Sequence, residues 1–364
     1  MSKPVLDRNQ IVQCLGRIQD PHTAQPLSGA QLKSFADEND RLHVVLELAY
    51  PAKKFGYGLA TLVEAQLEAI YSGKINVDIE WQVTRQPVAN QSASMPAVKN
   101  IIAVASGKGG VGKSTTAVNL ALAMAQEGAR VGILDADIYG PSQGMMLGIP
   151  AGTKPETIDG KWFVPLQAHG IQAMSMAFLV NDKTPMVWRG PMVSGALQQL
   201  LTQTQWDDLD YLVVDMPPGT GDIQLTFAQK VPATGSVIVT TPQDIALLDA
   251  KKGIEMFRKV NIPVLGVVEN MAMHICSNCG HAEHIFGEGG GTRLADEYGV
   301  DILASMPLDI HIREQADGGA PTVVADPESE VALQYLMMAR QVMANISVLN
   351  AGSSAIPTIT VSDD

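Results

Sequence analysis

The chain has 364 residues, of which 46% are hydrophobic, and its 38 acidic residues outnumber 25 basic ones to give a formal net charge of −13. This length and apolar content are sufficient for a large core and for two domains. The acidic balance argues against a protein that coats nucleic acid through an extended basic surface.

The chain carries no feature of a secreted or membrane protein. Three cysteines in so long a chain argue against a disulfide scaffold and predict a reducing compartment. The first residues, Met1–Asp7, lack the apolar core of a secretory signal. No uncharged apolar run approaches the ~20 residues that a bilayer span requires. We therefore predict a soluble cytoplasmic protein that binds neither membrane nor nucleic acid.

Residues 1–86 are predicted to form a small α+β domain. Its predicted elements are the helices Arg8–Ile18 and Leu59–Ser72 and the strands Arg41–Leu48 and Asn76–Thr84. The second helix takes Leu62, Leu67 and Ile70 as apolar positions. The polar, proline-bearing segment 87–97 has no periodicity and is predicted to be a linker.

From Val98 onward, apolar strands alternate with helices. The predicted strands are Ile101–Ala105, Val131–Leu134, Tyr211–Val214, Ser236–Thr240 and Val264–Val268, and the predicted helices include Thr116–Gln126, Ile245–Val260 and Glu328–Asn345. This alternation predicts a mostly parallel, doubly wound α/β sheet with helices on both faces. The domain is predicted to span residues 98–350, and the polar, acidic residues 351–364 to form a disordered tail.

The segment Ser106–Thr115 follows a predicted strand, precedes a predicted helix and has the form Gly-x-x-x-x-Gly-Lys-Ser. Glycines let backbone N–H groups turn toward phosphate oxygens, and the helix N-terminus adds positive potential. We expect Lys113 to reach the β- and γ-phosphates and the Ser114 hydroxyl to bind Mg²⁺. The predicted phosphate-binding residues are Gly107, Lys108, Gly109, Gly110, Val111, Gly112, Lys113, Ser114 and Thr115. The segment therefore predicts a P-loop nucleoside triphosphatase.

Carboxylates follow two other predicted strands. Asp135 and Asp137 come directly after the second strand, and Asp215 ends the third. Ligands of open α/β sheets bind beyond the carboxyl ends of the strands, so these groups are candidates for the same site. We expect Asp137 to position the attacking water, Asp135 to cap a turn, and Asp215 to lie beside the Mg²⁺. The N–H of Gly219 is expected to contact the γ-phosphate and to sense hydrolysis.

Two later segments are candidates for contact with the base. Asn270 follows the predicted strand that ends near Glu269, and its amide can pair with a purine edge. Pro307 and Asp309 lie in a loop that can flank the ring. Spacing alone leaves open the alternative that both segments are ordinary turns.

The first lysine of the glycine-rich loop, Lys108, is not required for simple phosphate binding. With it, the loop resembles the Gly-Lys-Gly-Gly-x-Gly-Lys-Ser/Thr motif of the deviant Walker A ATPases, which include partition proteins, septum-site proteins and nitrogenase iron protein. In that family the first lysine reaches across a dimer to the nucleotide of the partner. The resemblance therefore implies a homodimer in which Lys108 stabilises charge on the transferring phosphate.

Cys276 and Cys279 form a Cys-x-x-Cys pair in the loop after the fifth predicted strand. Such a pair supplies two ligands, whereas Zn²⁺ or an iron–sulfur cluster takes four. The residues leave three interpretations open. An iron–sulfur cluster can be completed by a second chain, zinc can be completed by His274, His281 or His284, or the pair can be a redox-active dithiol.

Several motifs of the second domain occur in the order of one family. They are Trp188–Pro191, Asp215–Asp222, Glu269–Met271 and the pair Cys276 and Cys279. Over about residues 98–345 the chain resembles the Mrp/ApbC iron–sulfur carrier proteins. The resemblance implies a homodimeric ATPase that binds ATP rather than GTP and carries a labile 4Fe–4S cluster on the two cysteines. Its implied partners are cluster-assembly scaffolds and apo iron–sulfur proteins.

Residues 1–86 resemble the PaaD-like domain that is often fused to these carriers. The cysteine of that domain is missing from Ala49–Lys54, and Asp20–Pro21 is followed by His22 rather than by an acidic residue. The resemblance therefore implies that this domain recognises partner proteins or assists cluster transfer. Cys14 is expected to be a small core residue.

Three functions compete on these observations: a cluster carrier, a nucleotide-switched scaffold or adaptor without cluster transfer, and a positioning ATPase on DNA or membrane. The third requires a basic surface or tail, whereas the chain ends Ser362-Asp363-Asp364. We favour the carrier, in which hydrolysis moves the Asp215–Asp222 loop and alters the cysteine site. The role of Arg189 stays open between interface, substrate contact and surface charge.

Overall fold

The computed structural model describes residues 6–86, 95, 97–179, 190–221, 224–225, 228, 231–276 and 278–354. Its contacts divide the chain into two compact units. The first unit combines residues 1–84 with the segments 126–128 and 343–364, and the second comprises residues 85–125 and 129–342. Most of the predicted linker at 87–97 lies outside the described residues, as does Arg189.

The first unit is a small α+β structure. Its elements are α1 (Arg8–Leu15), β1 (Leu32–Glu38), β2 (Arg41–Leu48), α2 (Gly56–Leu67) and β3 (Lys74–Trp81). The sheet order is β1-β2-β3, with β1 antiparallel and β3 parallel to β2. Strand β2 has the predicted bounds and buries every second residue, as its apolar alternation requires. The sequence did not predict β1, because nearly all of its residues are exposed and no alternation marks it.

Helix α2 buries a different face from the predicted one. Leu59, Val63 and Leu67 are buried one turn apart, whereas Leu62 is 58% exposed. Ile70 lies beyond the end of the helix and is 37% exposed. The prediction for Leu62 and Ile70 was therefore wrong. Apolar residues in this segment fit two overlapping helical stripes, and only the packing of the folded unit selects between them.

Two polar or reactive residues of the first unit serve its structure. The Asp20 carboxylate is 5% exposed. It accepts hydrogen bonds from the Tyr50 hydroxyl at 2.7 and 2.8 Å and from the N–H groups of His22 and Thr23 at 2.9 Å. These bonds are all internal, so Asp20 stabilises a turn. Cys14 is 4% exposed, as expected of a core residue.

The remaining elements begin at Val98. In chain order they are β4 (Val98–Ala105), α3 (Lys113–Gln126), β5 (Val131–Asp135), α4 (Gln143–Met146), β6 (Thr157–Ile158), β7 (Trp162–Phe163), β8 (Leu166–Ala168), β9 (Ile171–Ser175), a 3-10 turn (Met176–Phe178), α5 (Gly190–Gln203), β10 (Leu209–Asp215), β11 (Gly235–Thr240), α6 (Asp244–Lys259), β12 (Val264–Glu269), β13 (His274–Ile275), β14 (Ala282–Glu283), α7 (Gly290–Tyr298), β15 (Ile302–Ser305), α8 (Ile310–Asp317), α9 (Thr322–Ala325) and α10 (Glu330–Ser354).

The second unit contains a large, mostly parallel sheet. Its strand order is β15-β12-β11-β4-β10-β5-β9-β8, and only β8 pairs antiparallel with its neighbour. From β4 the chain passes to β5 on one side and later to β11 on the other. Strand β4 thus lies at a switch point of the topology, where ligands of α/β sheets bind. The predicted doubly wound α/β fold is confirmed.

Burial explains which strands the sequence revealed. Strands β5 and β10 are buried along their whole length, so they read as continuous apolar runs. Strands β9 and β15 were not predicted. Strand β9 contains the polar Gln172, and β15 is only partly buried, so neither presents such a run.

The last helix is longer than predicted. Helix α10 runs from Glu330 to Ser354, past the predicted start of the tail at Ala351, and residues 355–364 lie outside the described part of the chain. None of the helices among the described residues has the length and apolar character needed to cross a bilayer.

Candidate functional site

The glycine-rich loop connects β4 to α3 at the switch point of the sheet. Gly110 and Gly112 have φ values of +80° and +83°, in the left-handed region that favours glycine. A Cβ on Gly112 would lie 2.1 Å from the Asn270 amide nitrogen, and one on Gly107 would lie 2.3 Å from the backbone of Asp249. These positions therefore require glycine. The loop brings its backbone to the N-terminus of α3, where N–H groups favour anions.

Lys113 lies against two of the predicted Mg²⁺ ligands. Its ammonium forms an ion pair with Asp215 and a 3.1 Å hydrogen bond with the Ser114 hydroxyl. Lys113 is 6% exposed and Asp215 is 0% exposed. One positive charge thus lies between two oxygen ligands of the kind that Mg²⁺ prefers, so this donor set fits a hard cation.

Asp135 and Asp215 lie side by side, since they pair in the register of β5 and β10. Asp135 accepts hydrogen bonds from the N–H groups of Asp137, Ser142 and Gln143 at 3.1, 2.9 and 3.0 Å. The expectation that Asp135 caps a turn is confirmed. Burial, and then the neighbouring Asp215 charge, raise the pKa of Asp135 to about 7.

The raised pKa of Asp135 predicts a pH-dependent stability. In the unfolded chain this carboxyl ionises near pH ~4, whereas in the folded protein it keeps its proton until about pH 7. Between these values the unfolded state binds fewer protons, so stability falls as the pH rises. We expect the unfolding midpoint of the wild type to fall relative to that of Asp135→Asn between about pH 5 and about pH 8, without nucleotide or magnesium.

The matched control is Asp210→Asn. Burial alone would raise the pKa of Asp210, but hydrogen bonds from Arg130 and Lys99 lower it below its ordinary value. This carboxylate is therefore ionised in both states across the same pH window. The substitution Asp210→Asn should lower stability by the same amount across this pH range, without changing the dependence of the unfolding midpoint on pH. An Asp135→Asn variant that kept the wild-type slope would contradict the assignment.

Gln143 is a site residue that sequence reasoning missed. It begins the short helix α4 and is 1% exposed. Its amide nitrogen donates to the Ser114 carbonyl at 3.0 Å and to the Asp215 carboxylate at 2.8 Å. No motif marks this position, because only the fold of the loop after Asp135 brings it to the P-loop.

Asp137 faces the open side of the same region. It is 8% exposed, and its carboxylate accepts a hydrogen bond from the Gly140 N–H at 3.2 Å. It lines a cavity of about 440 Å³ together with Tyr139, Gly140, Pro217, Pro218, Gly221 and Gln224. The N–H of Gly219 donates to the Ser106 carbonyl at 3.0 Å, so a phosphate contact from this group requires that bond to open.

Asn270 contacts the P-loop directly. It is 8% exposed, and its amide nitrogen donates to the Val111 carbonyl at 2.9 Å. This bond uses one of the two amide hydrogens, so the other hydrogen and the carbonyl oxygen are left for the expected purine contact. Asp309 accepts a hydrogen bond from the His311 N–H at 2.8 Å and caps α8, while the N–H of Leu308, next to Pro307, donates to Met273.

The two cysteines lie in a short hairpin formed by β13 and β14. The Cys276 N–H donates to the His281 carbonyl at 2.9 Å, and the Gly280 N–H donates to the Cys276 carbonyl at 2.8 Å. The N–H groups of Asn278 and Cys279 donate to the Cys276 sulfur and lower the pKa of its thiol. Cys279 is exposed and Cys276 is half-buried. The hairpin therefore presents both sulfurs near its tip.

Two of the three histidines named for a zinc site, His274 and His284, make other contacts. A ring nitrogen of His274 is 3.2 Å from the Leu308 carbonyl, and one of His284 is 2.8 Å from the Ala272 carbonyl. Within the described parts of the chain, no group of three or more His, Cys, Asp and Glu side chains is placed to hold a metal ion.

The glycine loop between β4 and α3, with an aspartate ending the adjacent β10, defines a P-loop nucleoside triphosphatase. The model of the NUBPL iron-transfer P-loop NTPase family matches residues 97–343, and the chain belongs to this family. The resemblance to iron–sulfur carriers is thereby confirmed.

Two relatives match most of the chain. It is 70% identical over 275 residues to the iron-sulfur cluster carrier protein of Pseudomonas fragi, covering 76% of this chain and 95% of the relative. It is 50% identical over 341 residues to the iron-sulfur cluster carrier protein of Haemophilus influenzae, covering 93% of this chain and 92% of the relative.

Solved structures share the fold of the second unit. A nucleotide-binding protein from Archaeoglobus fulgidus in complex with ADP is 38% identical, with a TM-score of 0.56 over 64% of this chain and 90% of that one. The cell division ATPase MinD of Pyrococcus furiosus is 22% identical, with a TM-score of 0.52 over 67% of this chain and 98% of its own. The second likeness concerns the fold alone.

Proposed function

We propose that the protein is an ATP-dependent iron–sulfur cluster carrier, which binds a 4Fe–4S cluster at a homodimer interface and delivers it to apo-proteins in the cytoplasm. The observation that carries the proposal is the position of the cysteine hairpin. The hairpin follows β12 closely in the chain. Asn270 lies between them and donates a hydrogen bond to the Val111 carbonyl of the P-loop. The names of the relatives support the same cargo.

The cysteine pair suits a cargo that is bound and then released. Iron binds thiolates, and the lowered pKa of Cys276 favours that form. A cluster takes four cysteine ligands, and a two-fold axis supplies them from two copies of one pair. Ligands near the tip of an exposed hairpin leave the cargo accessible to an acceptor protein.

The nucleotide site acts through charge and position. Mg²⁺ would be held by Ser114 and Asp215 and would neutralise charge on the phosphates. Lys113 then exchanges Asp215 for the β- and γ-phosphates, and its ammonium stabilises charge in the transition state. Asp137 lies beside the cavity at this edge and orients the attacking water. Lys108 acts on the nucleotide of the partner subunit.

A short backbone segment, held by two hydrogen bonds, connects Asn270 beside the phosphate loop to the cysteine hairpin. The Ala272 N–H donates to Met306 at 2.9 Å, and the Leu308 N–H donates to Met273 at 2.7 Å. These bonds hold the middle of the segment that leads from Asn270 to the hairpin. A shift of the P-loop on hydrolysis therefore moves the cysteines through backbone contacts. Residues 1–86 are proposed as a separate domain that recognises protein partners.

The first test is cluster stoichiometry after anaerobic reconstitution with iron and sulfide. The wild type is expected to hold about four irons and four sulfides per dimer. Cys276→Ala/Cys279→Ala should hold none and keep the unfolding midpoint of the wild type, because both sulfurs lie on an exposed hairpin. Iron and sulfide analysis, with the mass of each species in solution, measures both quantities.

The control variant is Cys14→Ala, which removes the third cysteine from the core and should keep the full complement of iron and sulfide. A double variant that still held a complete cluster would refute the ligand assignment. Zinc in place of iron, or a metal-free monomer, would leave a nucleotide-switched adaptor as the better account. Transfer to an apo-protein acceptor then separates a carrier from a scaffold.

A further inference from the structure

Gln143 connects three segments of the nucleotide site. Its backbone N–H donates to Asp135 at 3.0 Å, and its amide nitrogen donates to the Ser114 carbonyl at 3.0 Å and to Asp215 at 2.8 Å. The side chain is 1% exposed. One residue thus joins the loop after β5, the start of α3 and the end of β10.

The amide oxygen of Gln143 has no hydrogen-bond partner within the part of the chain that the structure describes, although it is buried. Exchanging the oxygen and nitrogen of the amide does not satisfy it. The oxygen would then face the Ser114 carbonyl and the Asp215 carboxylate, which are both acceptors. The observed orientation is therefore fixed, and the oxygen requires a donor that none of the described residues supplies. Buried polar atoms of this kind call for a bound group.

We propose that Gln143 is a positioning residue of the magnesium site: its amide nitrogen orients Asp215, and its amide oxygen accepts a hydrogen bond from a water on the Mg²⁺. This inference rests on the proposed nucleotide function. Mg²⁺ keeps several of its waters when it binds to proteins, and each is a strong donor. Gln143 touches Ser114 and Asp215, the two proposed protein ligands, and its free oxygen belongs to the same amide group.

The substitution Gln143→Met tests this role, because it keeps the volume of the side chain and removes both polar atoms. Loss of a group that orients a metal ligand typically lowers metal affinity 10–100-fold. We expect the Mg²⁺ concentration for half-maximal binding of a fluorescent ATP analogue to rise about tenfold. Binding of the analogue in excess EDTA should change by less than about twofold, because the phosphate-binding backbone is untouched.

Gln172→Met is the matched control. Gln172 is also buried, at 9% exposure, and its amide donates to Asp207 at 3.2 Å and accepts from Asp207 at 3.0 Å. It lies on β9, outside the P-loop. This variant loses two hydrogen bonds, as Gln143→Met does, and should keep the wild-type dependence on Mg²⁺.

Two further variants separate a metal role from a structural one. Gln143→Glu keeps an acceptor oxygen but loses the donor nitrogen and sets a second carboxylate against Asp215, so it should not restore the wild-type Mg²⁺ requirement. Gln143→Asn keeps the amide but shortens the side chain, and it replaces Gln143→Met as the test if that variant does not fold. It should also raise the Mg²⁺ requirement about tenfold. The inference is overturned if folded Gln143→Met and Gln143→Asn keep the wild-type Mg²⁺ dependence. If instead the wild type shows no nucleotide binding, the proposed function itself fails.

Discussion

Lys113→Met is expected to lower ATP hydrolysis by roughly a hundredfold or more, because it removes the ammonium that stabilises charge on the phosphates. The same change should destabilise the protein without nucleotide by about 3–5 kcal/mol, since Asp215 would be left as a buried charge without its partner. Lys113 is 6% exposed and Asp215 is 0% exposed, so solvent cannot replace the lost partner. Steady-state hydrolysis and denaturant unfolding measure the two effects.

The double variant Lys113→Met/Asp215→Asn separates the two effects. Removing the second charge should recover much of the lost stability while hydrolysis stays as low as in Lys113→Met, and together with Asp215→Asn the double-mutant cycle gives the coupling between Lys113 and Asp215. An unfolding midpoint of Lys113→Met equal to that of the wild type would show that the buried ion pair does not form.

Lys108→Ala is expected to retain ATP binding and to lose hydrolysis, because its ammonium is proposed to act in the partner's site. Lys108 is half-buried, and no ion pair of its side chain occurs among the described residues. Mixing Lys108→Ala with Lys113→Ala tests whether Lys108 acts in the site of the partner subunit. In a heterodimer, the Lys108→Ala subunit keeps Lys113 and receives Lys108 from its partner.

Random pairing of equal amounts makes about half of the dimers mixed, each with one competent site, so about a quarter of the wild-type activity should return. The control mixes Lys113→Ala with Lys108→Ala/Lys113→Ala, which leaves no competent site in any dimer. Hydrolysis by Lys108→Ala alone at the wild-type rate would remove the proposed role of Lys108. Failure of the mixture to recover activity, with mixed dimers demonstrated by mass, would place Lys108 in its own subunit's site.

The proposed coupling of nucleotide and cargo depends on Asn270. The sequence predicted that this residue contacts the base of the nucleotide, because an amide can pair with a purine. The structure shows its nitrogen bonded to Val111 and its neighbour Glu269 accepting a 2.7 Å hydrogen bond from the Gly291 N–H at the start of α7. The end of β12 and the next residue, Asn270, thus contact the helix after the hairpin and the P-loop.

The parts of this protein that depend on local chemistry could be predicted from the amino-acid sequence. Strands buried in a parallel sheet are mostly apolar, so β4, β5 and β10 could be predicted from their apolar runs. The carboxylates at the ends of β5 and β10 could then be predicted as site residues. The spacing of the P-loop reflects backbone geometry within one segment, so the sequence alone predicts that Gly112 and Lys113 act together. The cysteine pair was equally local, since both residues lie in a single hairpin.

Contacts between groups far apart in the chain could not be predicted in this way, because they form only in the folded protein. The stripe of α2 that is buried was set by packing, so Leu62 proved exposed although its hydrophobicity suits a core. Asp135 acquired its raised pKa because the folded sheet buries it and, to a smaller extent, because β5 pairs with β10 and brings it beside Asp215. Gln143 reaches Ser114 through the fold of the loop after Asp135. A sequence records the type of each residue, whereas burial and charge proximity depend on contacts between segments far apart in the chain.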